Sequence, residues 1–194
     1  MYQIYHTQGI VLSSKNIGEA NKMLTVFTRE MGLIRGIVQG VRLNKSKLRF
    51  ALQDFSYADV DFVRGKDIWR ITSATPITSF PMARTSKDSI TLISHVCSLL
   101  ERLCGEGEVD ERIFDDFIQA LYILDTENVD SSSREALELH LVLKIIYNLG
   151  YIENSEILNK YLVNSFDKNE VVNLLKERQS IISRINKALS ESQL

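Results

Sequence analysis

Residues 22–40 read KMLTVFTREMGLIRGIVQG, two alternating apolar runs separated by Met31 and Gly32. In the first run Leu24, Val26 and Thr28 fall on one side, and Met23, Thr25, Phe27 and Arg29 on the other. That is the period of two expected of a β-strand. The second run, Leu33–Gly40, follows a glycine-containing break, so the pair predicts two strands joined by a tight turn. Working outward, the same reading gives strands at Gly9–Lys15, Phe55–Arg64 and Ile68–Thr75. Breaks fall at Asn16–Ile17–Gly18 and at Arg64–Gly65–Lys66–Asp67, the latter a hairpin link. In the fourth strand Ala58, Val60 and Phe62 alternate with Tyr57, Asp59 and Asp61. Five short antiparallel strands in the first 80 residues fit an OB-type β-barrel better than a sandwich, which needs more strands.

After Pro76 and Pro81 the apolar period lengthens to that of a helix, which sets a domain boundary there. The expected fold class is α+β: an OB-fold barrel over residues 1–80 and an all-helical domain over 81–194. Ile90, Ile93, Cys97, Leu100 and Cys104 form one stripe, and Ile113, Phe117, Leu121 and Leu124 a second, with Gly105 and Gly107 between them. Ser132 with Glu135 reads as a capping box ahead of a helix over 136–149, which Gly150 stops. Asp167 with Glu170 reads as another, ahead of a helical segment over 171–189 broken near Gln179.

A chain of 194 residues with 44% apolar content can bury roughly 70% of its unfolded surface. Compact folding is therefore expected. No run of about 18 apolar residues occurs. The start MYQIYHTQGIVL lacks the pattern of a secretory signal, so the expected location is the cytoplasm. The two cysteines, Cys97 and Cys104, stand two helical turns apart, roughly 10 Å, too far for a disulfide. They read as small buried hydrophobes.

Charge is unevenly distributed. Residues 1–80 hold eleven Lys and Arg against six Asp and Glu, a net of +5, whereas residues 81–194 hold twelve against nineteen, a net of −7. Between Ile34 and Gln53 stand Arg35, Arg42, Lys45, Lys47 and Arg49 without a single acid. Gathering cations in one place is what displacing counterions from a polyanion requires.

The order of GIVL (Gly9–Leu12), GEANKMLTVFTREMG (Gly18–Gly32), GVRLNKSKLRFALQDFS (Gly40–Ser56) and RGKDIW (Arg64–Trp69) closely resembles the RecO family of bacterial DNA repair and recombination mediators. LVLKIIYNLGYI (Leu141–Ile152) resembles the helix before that family's zinc-binding insertion. Many relatives carry paired CxxC motifs beyond it. Here residues 151–194 contain no cysteine, so no zinc finger is expected. The resemblance implies binding of single- and double-stranded DNA, annealing of complementary strands, and help in loading RecA onto strands covered by single-strand binding protein (SSB). It implies RecR as partner and a docking place for the SSB tail on the helical domain, where Lys176, Arg178, Arg184 and Lys187 are candidate contacts.

On an OB barrel, nucleic acid lies across strands and adjoining loops, with cations following the backbone and aromatic rings stacking on bases. Arg42, Lys45, Lys47 and Arg49, in the pattern R-x-x-K-x-K-x-R on an expected mobile loop, are the leading candidates. Lys22, Arg35, Arg64, Lys66 and Arg70 come second. Phe27 is a candidate for stacking, as is Tyr57. Trp69 reads better as a buried hydrophobic anchor between the domains. A catalytic alternative uses Asp59 and Asp61 on one strand face to hold a divalent ion for strand cleavage, and a third reading is a protein adaptor with little DNA binding. Neither catalytic residues nor a cofactor is expected: Gly105–Glu106–Gly107 lacks the Lys-Ser/Thr ending of a phosphate loop, and His6, His95 and His140 are scattered. Asp115 and Asp116 read as a solvated helix face. If about five phosphates of a single strand are engaged, log affinity should fall against log salt with a slope of roughly −3.5. A fluorescence titration between roughly 50 and 200 mM salt should then show about a hundredfold weakening.

Overall fold

A computed structural model of the chain describes residues 3–107, 110–126, 129–163, 166 and 171–191. Strands β1 (Ile4–Ile17), β2 (Asn21–Thr28), β3 (Gly32–Val38), β4 (Tyr57–Arg64) and β5 (Trp69–Thr78) form a closed barrel in the order β1-β2-β3-β5-β4, with a short helix α1 (Leu48–Ala51) between β3 and β4. This is the OB-fold arrangement expected from the sequence. Helices α2 (Lys87–Leu103), α3 (Glu111–Thr126), α4 (Ser131–Asn148), α5 (Glu156–Val163), α6 (Val171–Lys176) and α7 (Arg178–Glu191) follow, after a single 3₁₀ turn at Ala83–Thr85.

The barrel closes because β1 is long. It pairs with β4 through Ile4–Ile10 and with β2 through Gly9–Ile17, both antiparallel. The remaining seam, β3 against β5, is parallel and spans only Gly36↔Trp69, Ile37↔Arg70 and Val38↔Ile71. Beyond the Ile10↔Tyr57 pair, the Val11 N–H donates to the Ser56 carbonyl (3.0 Å) and its carbonyl accepts from the Phe55 N–H (2.7 Å). Val11, Leu24, Val26, Ile34, Val60 and Phe62 fill the interior, each no more than 1% exposed. Val41, Ala51 and Leu52 join the same cluster from the β3–β4 connection.

A second apolar row runs around the outside. Tyr57, Ile10, Phe27 and Leu33 are successive cross-strand neighbours on β4, β1, β2 and β3, and all four are buried. Such a row needs a cover. Residues 93–111 form one compact unit with Met1–Pro81, and in that segment Ile93, Val96, Cys97, Leu100 and Cys104 are buried in turn. Backbone bonds fix its return, from the Leu33 N–H to the Gly105 carbonyl (3.0 Å) and from the Gly107 N–H to the Met31 carbonyl (3.3 Å). Burial pushes the Cys104 thiol up to about 11. Cys97 rises further, mainly through burial and then through Glu101 and Asp54, so both thiols stay protonated and inert.

The other unit comprises Met82–Leu92 and Arg112–Leu194, and α4 packs there against α5, α6 and α7. The N-cap of α4 is Asp130, whose carboxylate accepts from the Ser133 N–H (2.7 Å), in place of the expected Ser132 box. At its other end Gly150 adopts φ 81°, letting its N–H reach the Tyr147 carbonyl and that of Tyr151 reach Ile146. The helical segment from Val171 breaks at Glu177, two residues before the expected Gln179. The expected box of Asp167 with Glu170 lies outside the described residues.

Two stability predictions follow from this packing. A Cβ on Gly9 would stand 2.7 Å from Val26 Cγ1, so Gly9→Ala should lower stability in urea unfolding by about 1–3 kcal/mol. His140 is 6% exposed and its Nε2–H donates to the Tyr161 carbonyl (2.6 Å). Burial, with some help from Lys144, holds its pKa below the ordinary 6.5 against the opposing carbonyl bond and Asp116. The unfolded chain therefore takes up the proton first. Stability is expected to fall as pH drops below 6.5 and to be regained above it, and His140→Gln should flatten that part of the pH profile.

Candidate nucleic-acid interface

The β3–β4 connection carries the four leading cations. Gly40 takes φ 65° as the chain leaves β3, and its N–H donates to Asn21 Oδ1 (2.9 Å). Val41 then turns into the barrel, whereas Arg42, Leu43, Asn44 and Lys45 are exposed. Arg42 is fastened twice to the β1–β2 turn: its N–H donates to the Ala20 carbonyl (3.0 Å) and its guanidinium to the Gly18 carbonyl (2.8 Å). Successive turns bond Leu43 to Gly40, Ser46 to Leu43 and Arg49 to Ser46, and the Arg49 guanidinium reaches Asn44 Oδ1 (3.4 Å). The segment expected from sequence as a mobile loop, with Gly40 and Asn44 as turn residues, is a hydrogen-bonded run of turns ending in α1. Its ends are held because Val41, Ala51 and Leu52 are core residues.

All four side chains are exposed, and none pairs with a carboxylate among the described residues. The result is an exposed cationic surface without a carboxylate partner among the described residues.

The second set divides. Arg35, Arg64 and Lys66 are exposed and line one groove of about 320 Å³ beside Met23 and Trp69, together with Asp67 and Glu106. The Arg64 guanidinium stands 5.4 Å from the Trp69 ring centre. Arg70 is exposed on β5 outside that groove. Lys22 is half-buried, with its Nζ 3.2 Å from Ser14 Oγ, and is the least available of the set.

Phe27 is not a stacking platform. It is 0% exposed within the outer row described above, because the side of β2 opposite the lumen is itself covered, so no ring face is open to a base. Arg29, which shares its strand face, pairs with Glu111 (3.2 Å). Tyr57 is buried and donates to Gln8 Oε1 (2.6 Å). Trp69 belongs to the barrel cluster, edge-on to Tyr5 and Phe62. Phe50 is the aromatic that sequence reasoning passed over, 72% exposed on α1 between Arg49 and Ala51. A search by strand alternation misses it because it sits in a helix of four residues.

Asp61 accepts from His6 Nδ1 (2.6 Å) across the β1–β4 ladder, a partner that sequence distance concealed. Among the described residues no group of three or more His, Cys, Asp or Glu is placed to hold a metal ion. In the helical unit Arg178 pairs with Glu135 (2.6 Å), Lys187 lies 3.8 Å from Glu191, Arg184 reaches Ser155 Oγ (3.4 Å) and Lys176 is exposed at the end of α6. Asp116, expected on a solvated face, is largely buried against Lys144 (2.5 Å). No helix among the described residues is long and apolar enough to cross a membrane.

The closed barrel, with its strand order and intervening helix, places the chain among OB-fold proteins. Residues 1–80 match the family described as Recombination protein O N terminal. The DNA repair protein RecO of Clostridium acetobutylicum is 30% identical over 149 residues, covering 76% of this chain and 60% of that protein. The RecO proteins of Pelotomaculum thermopropionicum (32% over 149 residues, 77% and 56%) and Dehalococcoides mccartyi (31% over 138 residues, 71% and 54%) are comparably similar. Residues 1–80 thus match the N-terminal domain of the RecO family, and the chain is similar to these RecO proteins over somewhat more than half of their length.

Proposed function

We propose that this chain is a DNA repair and recombination mediator, not an enzyme, that binds single- and double-stranded DNA, anneals complementary strands and assists the loading of RecA onto SSB-coated strands in the cytoplasm. The single observation that carries this reading is the set of Arg42, Lys45, Lys47 and Arg49, exposed together without carboxylate partners among the described residues. Phosphates are the anions such a set suits, because each contact releases condensed counterions and asks nothing of base sequence. Annealing needs that indifference to sequence. Arg35, Arg64 and Lys66 in their groove extend the cationic surface along the barrel. RecR and the SSB tail are the proposed protein partners. Of the four candidate contacts for that tail, Lys176 and Arg184 carry no ion pair among the described residues.

Changing Arg42, Lys45, Lys47 and Arg49 together to Glu should weaken binding of a labelled oligonucleotide by on the order of a hundredfold or more and abolish annealing. The circular dichroism spectrum and melting temperature should be unchanged, since all four side chains are exposed. Weak DNA binding that this variant leaves unaltered would favour an adaptor with little DNA binding of its own.

A further inference from the structure

We infer that Phe50 is a base-stacking contact: its ring takes the face of an unpaired nucleobase while Arg42, Lys45, Lys47 and Arg49 of the same connection hold the neighbouring phosphates. This rests on the nucleic-acid reading above and sharpens it to a preference for single strands.

The ring's placement is not an accident of a loose loop. Consecutive helical residues turn by about 100°, so the side of α1 that carries Leu48, Ala51 and Leu52 into the barrel cluster leaves Arg49 and Phe50 on the opposite side. Among the described residues the other phenylalanines are buried or half-buried, whereas Phe50 is 72% exposed. Its ring makes no contribution to the core and is held outward by neighbours that do.

Charge selects the occupant. An apolar segment of a protein partner would have to bring its own carboxylates to face Arg42, Lys45, Lys47 and Arg49, which stand in a run of twenty residues (34–53) without an acid. A nucleotide carries both requirements in one unit, an anion and a flat apolar face. In a duplex that face is stacked inside the helix and unavailable, so the ring adds affinity only for unpaired strands. Cations alone do not distinguish the two forms in this way.

The test uses the full chain with a fluorescein-labelled mixed-sequence strand, the corresponding duplex, and the same strand carrying abasic sites, at two ionic strengths. Phe50→Ala should weaken single-strand binding about tenfold, leave duplex binding within about twofold, and leave the salt slope unchanged. The loss should disappear on the abasic strand. Phe50→Tyr, which keeps the ring, should bind like the parent, and melting temperatures should be equal because the ring is exposed. Unchanged single-strand affinity in Phe50→Ala, or equal losses on single strand and duplex, would overturn the stacking role. If charge reversal abolishes binding while Phe50→Ala does not alter it, stacking alone fails. If the parent chain binds no strand at low salt, the functional reading fails and takes this inference with it.

Discussion

Strand β1 hydrogen-bonds to β4 through its first half and to β2 through its second, and this double use is what turns a five-stranded sheet into a barrel. The overlap falls at Gly9 and Ile10, which have partners on both sides. There is no room at Gly9 for a side chain beside Val26, and Ile10 stands between Tyr57 and Phe27 in the outer apolar row. If β1 let go of either neighbour, Leu24, Val26, Val60 and Phe62 would be exposed to water, each at a cost of roughly 1.5–3 kcal/mol. The loop that carries the cations is anchored in that same interior.

The uneven charge of the sequence becomes, in three dimensions, a difference in pairing. In the helical unit Arg134 meets Asp88, Lys144 meets Asp116, Lys160 meets Glu177 and Arg178 meets Glu135. Those cations are spent on the fold. On the β3–β4 connection the guanidiniums of Arg42 and Arg49 bond, among the described residues, to the neutral oxygens of Gly18 and Asn44, which orient them without neutralising them. The proposed role in DNA binding depends on this contrast, since a cation already matched to a carboxylate releases little on meeting a phosphate.

The strands were legible because alternation reports which side chains share a face: Leu24 with Val26, and Ala58 with Val60 and Phe62, share one as read, and that face proves to be the lumen. Ends were less so. Strand β1 begins at Ile4 and continues through Asn16 and Ile17, which read as a break, because pairing with β2 holds residues whose own preferences favour a turn. The burial of Phe27 was illegible in principle: alternation shows which face a side chain is on, not whether a segment from residue 93 onward returns to cover it. Helices α1 and α5, four and eight residues long, carry too few apolar repeats to announce themselves. The cations of the β3–β4 connection were found from composition alone, whereas the exposure of Phe50 follows from the phase of α1, which only the barrel sets.

The β3–β5 seam has consequences for the groove beside it. It is parallel and only three residue pairs long, where every other ladder is antiparallel and longer. Gly36–Val38 and Trp69–Ile71 therefore mark the line of the cylinder with the fewest ladder bonds. Trp69 and Arg35 border that line. The least-bonded seam of the barrel is therefore also a wall of its cationic groove, and in the proposed role a strand lying along the groove would splint it.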